Sequence, residues 1–254
     1  AMASEVNKLE DKERAQLVGT TLETVQGRVP VIGGASAPDR ARRVSLARDL
    51  IARGCEGILA QIPFEHPEQY AAEVRVLADL GPGFLMLQDW DPSGYGVPVS
   101  LITQLFEEIP AFRCLKIEVV PAGVKYTEAL RATEGRLHVS GGWAVQQMIE
   151  GLDRGVHAFM PTAMHGIYCR IYSLYQAGQR DKAQTLFERL LPILAFSNQH
   201  LDISIHFFKR LLHVQGVYRT ARVREPILPF DETHERIARE LIERVIALEA
   251  EIGD

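Results

Sequence analysis

Residues 113–120 read RCLKIEVV and alternate: Leu115, Ile117 and Val119 fall on one side, Cys114, Lys116 and Glu118 on the other. Successive side chains of a β-strand point to opposite faces, so this octet predicts a strand with one apolar face and one face that carries a lysine and a glutamate. The apolar set suits a layer of covering helices. Lys116 and Glu118 then face away from those helices, close to the C-terminal end of the strand.

Working outward, apolar or β-branched runs recur at 29–34, 57–63, 83–89, 136–142 and 156–162, which with the first makes six strands. Helical patterns lie between them at 36–53, 68–80, 98–109 and 143–154. The first carries Val44, Ala47, Leu50 and Ile51 on one face, and the second Ala71, Val74 and Leu77. The joints ARGCEGILA, ADLGPGFLML and DRGVHAFMP each place glycine where a helix is expected to end in a left-handed residue before the next strand. Strand, helix, strand predicts a parallel sheet. A barrel and an open doubly wound sheet both fit, but no GxGxxG follows any strand, which removes the commonest reason to prefer the second. The expected class is α/β, a (β/α)8 TIM barrel.

Beyond residue 162 the alternation stops, and the chain reads as extra C-terminal helices at 165–177, 180–196, 201–215 and 232–252. Residues 1–164 are expected to be barrel units and 165–254 helices that complete the same domain. A closed barrel needs eight strands, and this chain opens in mid-pattern on a strand-to-helix loop. The first two strands and the helix between them are therefore expected to be missing, the natural protein being longer by about 40 to 50 residues.

The chain has 254 residues, 46% hydrophobic and 24% charged, enough for one large core. A net charge of -5 argues against nucleic acid as partner. Arg40, Arg42, Arg43 and Arg48 read as the solvated face of one helix. No run approaches the ~18 apolar residues of a membrane span and no signal peptide opens the chain, so no membrane partner and a cytoplasmic location are expected. Cys55, Cys114 and Cys169 lie far apart without CxxC, and His157, His165, His206 and His213 lack ligand spacing, so neither a disulfide framework nor a metal is expected.

The Lys116 and Glu118 face has two readings. A lysine drawn out of water holds its proton less tightly, and its free amine attacks carbonyls, as active sites at the C-terminal ends of barrel strands require. Alternatively, the two residues form an internal ion pair that only fills the lumen.

Six segments, in chain order, carry a resemblance: SEVNKLEDKER (4–14), PVIGGASA (30–37), CLKIE (114–118), VSGG (139–142), FKRLLHVQGV (208–217) and VREPILP (223–229). Together they resemble the dihydrodipicolinate synthase / N-acetylneuraminate lyase family over almost the whole chain. The resemblance implies an eight-stranded barrel that assembles as a homo-oligomer, tetramer or dimer, and a strand-six lysine, here Lys116, that forms an imine with a 2-oxo acid. No cofactor is implied, because the imine itself is the electron sink for loss of a hydroxyl group or for carbon–carbon cleavage.

The chain departs from the family pattern at three places. The loop that usually reads Gly-Thr-Thr-Gly-Glu is Ala1, Met2, Ala3, Ser4 and Glu5, without the two hydroxyls but with backbone N–H groups able to bind an oxyanion. Gln88 stands at the place of the proton-shuttling tyrosine. No basic residue stands near Gly94, where true dihydrodipicolinate synthases carry an arginine. The combination of Gln88-Asp89 with Lys116-Ile117-Glu118 resembles the 2-keto-3-deoxy sugar-acid dehydratase and aldolase branch.

On that pattern Lys116, Glu118 and Gln88 are the expected catalytic residues, Glu118 as acid/base. Ala3, Ser4, Asp89, Ser140, Gly141 and Met160 are the expected substrate-binding ones, with Asp89 either orienting the substrate or serving the fold. Phe64, His66 and Tyr95 in nearby loops either line the pocket or pack against neighbours. The expected function is a lyase acting on a small-molecule 2-oxo acid or 2-keto-3-deoxy sugar acid. The alternative is a catalytically impaired member that binds such an acid as a sensor or structural protein, a reading that the altered loop and the missing tyrosine motivate.

Overall fold

The computed structural model describes residues 4–142 and 145–253. Six strands form, β1 (Ile32–Gly34), β2 (Gly57–Gln61), β3 (Phe84–Asp91), β4 (Phe112–Val119), β5 (His138–Gly141) and β6 (Ala158–Phe159). Each overlaps one of the expected runs, and all pair in parallel in the order β1-β2-β3-β4-β5-β6. Among the described residues the sheet has six strands. The helices are α1 (Asp11–Val25), α2 (Arg40–Arg53), α3 (Pro67–Ala78), α4 (Val99–Glu108), α5 (Ala122–Ala132), α6 (Met148–Asp153), α7 (His165–Gln176), α8 (Arg180–Glu188), α9 (Leu191–Ser197), α10 (Leu201–Val214) and α11 (Glu232–Gly253). Gly54, Gly81 and Gly155 at the three joints all adopt positive φ, as a helix end that turns into a strand demands.

The chain divides into two compact units, one of residues 10–142 and 150–159, the other of 1–9, 143–149 and 160–254. The first holds the sheet. Leu85, Leu87, Leu115, Ile117, Val119 and Val139 pack there in one cluster with Leu50 of α2, Val74 and Leu77 of α3, Ile102 and Leu105 of α4, and Tyr126 and Ala129 of α5. Burying a leucine or isoleucine is worth about 1.5–3 kcal/mol. Slipping β4 by one residue would exchange three such side chains for Cys114, Lys116 and Glu118, so the alternation fixes the register and the outward direction of the two charged groups.

Four local expectations are corrected. Residues 122–132 form α5, with Ala122, Tyr126 and Ala129 on its buried face, although no helix is expected there from the sequence. The expected helix at 143–154 is the shorter α6, and Trp143 lies outside the described residues. The single helix expected at 180–196 is two, because Pro192 offers no N–H and its ring collides with the carbonyl four residues back, at Glu188, where α8 ends. Arg43 is buried rather than solvated. It lies on the same face of α2 as Ala47 and Leu50, bonds Glu73 of α3 at 2.6 Å and donates to the carbonyls of Ala37 and Pro38 at 2.7 and 2.9 Å.

Glu73 also accepts from Arg40 at 2.5 Å. Burial pushes its carboxyl up, but the bonds from Arg43 and Arg40 outweigh burial and hold it below the ordinary value of 4.5. A carboxylate with a depressed folded pKa contributes stability above its unfolded pKa and loses it as pH falls through the folded one. Urea midpoints are therefore expected to drop between about pH 7 and about pH 3, and the drop is expected to be smaller in Glu73→Gln. An unchanged drop would remove Glu73 from the acid response.

The second unit is helical. Phe196 of α9 packs edge-on to Phe207 of α10 at 5.7 Å, and Arg210 stacks over Phe230 at 4.4 Å. Glu5, 1% exposed, bonds Lys8 at 3.2 Å, the Arg224 N–H at 2.9 Å and Lys209 of α10. This ties the first described residues to the segment after α10. His206 and His213 bond backbone oxygens of Leu228 and Tyr218. No described helix is long and apolar enough to cross a membrane.

Candidate active site

Because Leu115, Ile117 and Val119 belong to the helix-facing core, Lys116 and Glu118 occupy the opposite face of β4. In-register pairing sets Gln61 of β2, Gln88 of β3, Lys116 of β4, Ser140 of β5 and Ala158 of β6 side by side in one row of that face. Glu118 stands one layer further toward the C-terminal end. Its carboxylate gathers two neighbours: Lys116 Nζ lies 3.2 Å from Oε2, and Gln88 Nε2 donates to the same oxygen. The side chains of Lys116 and Glu118 are 15% and 9% exposed, so the pair is shielded yet open at one side.

Gly142 makes room for this arrangement. A Cβ on Gly142 would collide with Oε1, Cγ and Cδ of Glu118, so even a methyl group must drive the glutamate from its place. If Glu118 is the acid/base expected from the sequence, Gly142→Ala lowers kcat by on the order of 100-fold by displacing it, with a small change in urea midpoint. Wild-type kcat in that variant would show that the position of Glu118 does not matter.

Ser140 is fully buried, and its hydroxyl has no hydrogen-bond partner among the described residues. An unmade bond of this kind costs about 1–3 kcal/mol, which a ligand beside Lys116 would relieve. Gly141 faces the other way, where a Cβ would collide with the Phe159 ring and crowd the Tyr126 hydroxyl. Asp89 also lies on the helix side, 2% exposed, where it pairs with Lys125 of α5 and accepts the Val97 N–H at 3.0 Å. Lys125 is fully buried, donates to the Tyr95 carbonyl and sits 4.7 Å from the centre of the Tyr95 ring. Burial pushes the Asp89 carboxyl up and draws Lys125 down, each effect opposed by the partner's charge. Of the two uses open to Asp89, this geometry favours the service of the fold.

Lys125 escapes a sequence reading that finds no helix at 122–132. The signal was present: Ala122, Lys125, Tyr126 and Ala129 follow the i, i+3, i+4, i+7 spacing of one face, and a lysine at such a position demands an anionic partner. Phe64 packs edge-on to Tyr70 at 5.6 Å, His66 stands at the N-cap position of α3 without a side-chain capping bond, and the Tyr95 hydroxyl bonds Glu128. Ser4 and Met160 belong to the helical unit, both exposed, and Ala3 lies outside the described residues. Among the described residues no group of three or more His, Cys, Asp or Glu is arranged to hold a metal ion.

The model of the dihydrodipicolinate synthetase family matches residues 2–245. The chain belongs to that family. An L-2-keto-3-deoxyarabonate dehydratase of Azospirillum brasilense is 27% identical over 237 residues, covering 88% of this chain and 74% of that protein. A 4-hydroxy-tetrahydrodipicolinate synthase of Xanthomonas axonopodis pv. citri is 26% identical over 252 residues, covering 97% of this chain and 82% of that one. Among solved structures, the 4-hydroxy-tetrahydrodipicolinate synthase of Methylacidiphilum fumariolicum SolV superposes with a TM-score of 0.86 at 19% identity over 100% of this chain and 85% of that one. YagE, a prophage protein of the dihydrodipicolinic acid synthase family from E. coli K12 solved with pyruvate, gives 0.84 at 16% identity over 97% and 85%. The fold of this dihydrodipicolinate synthetase family member is thus TIM-barrel-like. Membership in the family, with a dehydratase among the relatives, supports an enzyme of the lyase or aldolase type.

Proposed function

We propose that the protein is a class I lyase in which Lys116 condenses with the C2 carbonyl of a 2-keto-3-deoxy sugar acid. The observation that carries this reading is the contact of Lys116 Nζ with Glu118, 3.2 Å away, on a sheet face turned from the core. Glu118 takes the ammonium proton, and the free amine adds to C2. The carbinolamine then loses water, with the proton returned from Glu118, to leave an iminium. Glu118, again a carboxylate, removes a proton from C3, and the electron pair flows into the iminium to give an enamine. The enamine pair then expels the C4 hydroxyl, which takes that proton from Glu118 and leaves as water, and this completes a dehydration. The aldolase route differs: the C4 hydroxyl gives its proton to Glu118, the C3–C4 bond breaks into the iminium, and Glu118 returns the proton to C3 of the resulting enamine. Water releases the product and Lys116 in either case. Gln88 holds the Glu118 carboxylate by its amide N–H and leaves its own oxygen to a substrate hydroxyl.

The dehydratase among the relatives favours this reading over a silent binder. Product analysis by mass spectrometry after incubation with 2-keto-3-deoxypentonic and hexonic acids tests it. A product lighter by one water, or pyruvate with an aldehyde, is expected. Quantitative recovery of every acid unchanged would contradict it.

A further inference from the structure

Two neutral groups in the Lys116 row, one buried and one half-buried, make no side-chain hydrogen bond among the described residues. Ser140, adjacent to Lys116 on β5, is fully buried with an unpartnered hydroxyl. Gln61, on β2 beyond Gln88, faces the same way, because its neighbours Ile58, Ala60 and Ile62 belong to the helix-side core. The backbone N–H of Gln61 is held by Ser36 Oγ at 2.9 Å, which fixes the residue, yet its carboxamide makes no hydrogen bond among the described residues. The layer beneath is Leu59, Met86, Cys114 and His138, of which the first three offer these groups little to bond and His138 stacks on His157. The row ends at Ala158 and contains no cation besides Lys116.

A carboxamide presents both donors and an acceptor, and a serine hydroxyl does the same on a smaller scale. Together they match hydroxyl groups, which also donate and accept. They do not match a phosphate or a second carboxylate, whose charge would enter the row beside Glu118 and the acid's own carboxylate with no cation there but the iminium. Adjacent strands lie about 4.8 Å apart, so the Gln61 backbone is roughly 10 Å from that of Lys116 and the Ser140 backbone roughly 5 Å. A molecule bonded to both must extend from the imine carbon across Gln88, further than pyruvate reaches.

We infer that Gln61 and Ser140, flanking Lys116 in one row of the sheet, hydrogen-bond hydroxyl groups of the bound acid and select an unphosphorylated polyhydroxylated chain. This rests on the Lys116 reading above and adds specificity residues to it, Gln61 being new.

The test uses the full chain with three probes: pyruvate, a 2-keto-3-deoxyhexonic acid and the terminal phosphate ester of that acid. Wild-type kcat/KM is expected to favour the unphosphorylated acid by about tenfold or more over its ester. In Gln61→Leu and Ser140→Ala, kcat/KM for the hydroxylated acid is expected to fall about tenfold further than the rate of borohydride trapping with pyruvate, the worth of one hydrogen bond. The wild-type comparison needs no variant to fold. Equal or better use of the phosphate ester, or parallel loss on pyruvate and sugar acid in both variants, would overturn the inference while leaving the imine intact. Wild-type protein that traps none of the three would overturn the Lys116 reading and this inference with it.

Discussion

Lys116→Arg is expected to lower turnover of a 2-keto-3-deoxy sugar acid by at least on the order of 10⁴-fold, because a guanidinium keeps its proton and cannot form an imine. The substitution keeps a cation beside Glu118, which lies 3.2 Å from Nζ in the native pair, so the ion pair and the fold should survive it. Turnover and urea midpoint measured on the same preparation separate the two effects. Glu118→Gln provides the contrast: loss of an acid/base lowers kcat by roughly 10²–10⁴-fold, yet the amine is still present to capture a carbonyl. An arginine variant within tenfold of wild type would show that the lysine only fills the lumen.

The largest expected effect on stability lies one face away. Lys125→Met leaves the Asp89 carboxyl, 2% exposed, without its partner. Removing one member of a buried pair costs about 3–5 kcal/mol, a large part of the margin of a domain whose total is about 5–15 kcal/mol. The double variant Asp89→Asn/Lys125→Met removes both charges and is expected to recover much of that loss, since a neutral pair needs less solvation. Urea unfolding of the wild type, both single variants and the double variant closes the cycle. Additive losses would mean that the two groups do not stabilise each other. The pair also bears on the site, because Asp89 follows Gln88 on β3 and the two hold the loop that leaves that strand, Asp89 by accepting the Val97 N–H and Lys125 by donating to the Tyr95 carbonyl.

What was legible in the sequence was what has a period. Alternation at 113–120 gave the strand, its two faces and the juxtaposition of Lys116 with Glu118, and glycines at 54, 81 and 155 gave the helix ends. In-register pairing then brings Gln88 and Ser140 to Lys116, something alternation within one strand does not determine. Where charge broke the apolar pattern, the reading failed. Arg43 occupies a buried position on α2 and Lys125 one on α5, each made tolerable by a carboxylate distant in sequence, Glu73 and Asp89. Local pattern sees only the unfavourable half of such a pair. Gln61 was passed over for a related reason: a glutamine in a short apolar run looks like a strand end until its neighbours across the sheet are known.

Borohydride reduction in the presence of pyruvate or a 2-keto-3-deoxy sugar acid, followed by intact mass and peptide mapping, tests the central claim most directly. The account predicts one acid-sized adduct per chain, on the peptide that contains Lys116, and none without the acid or in Lys116→Arg. Folded protein that turns over the acid without any adduct on Lys116 would contradict it.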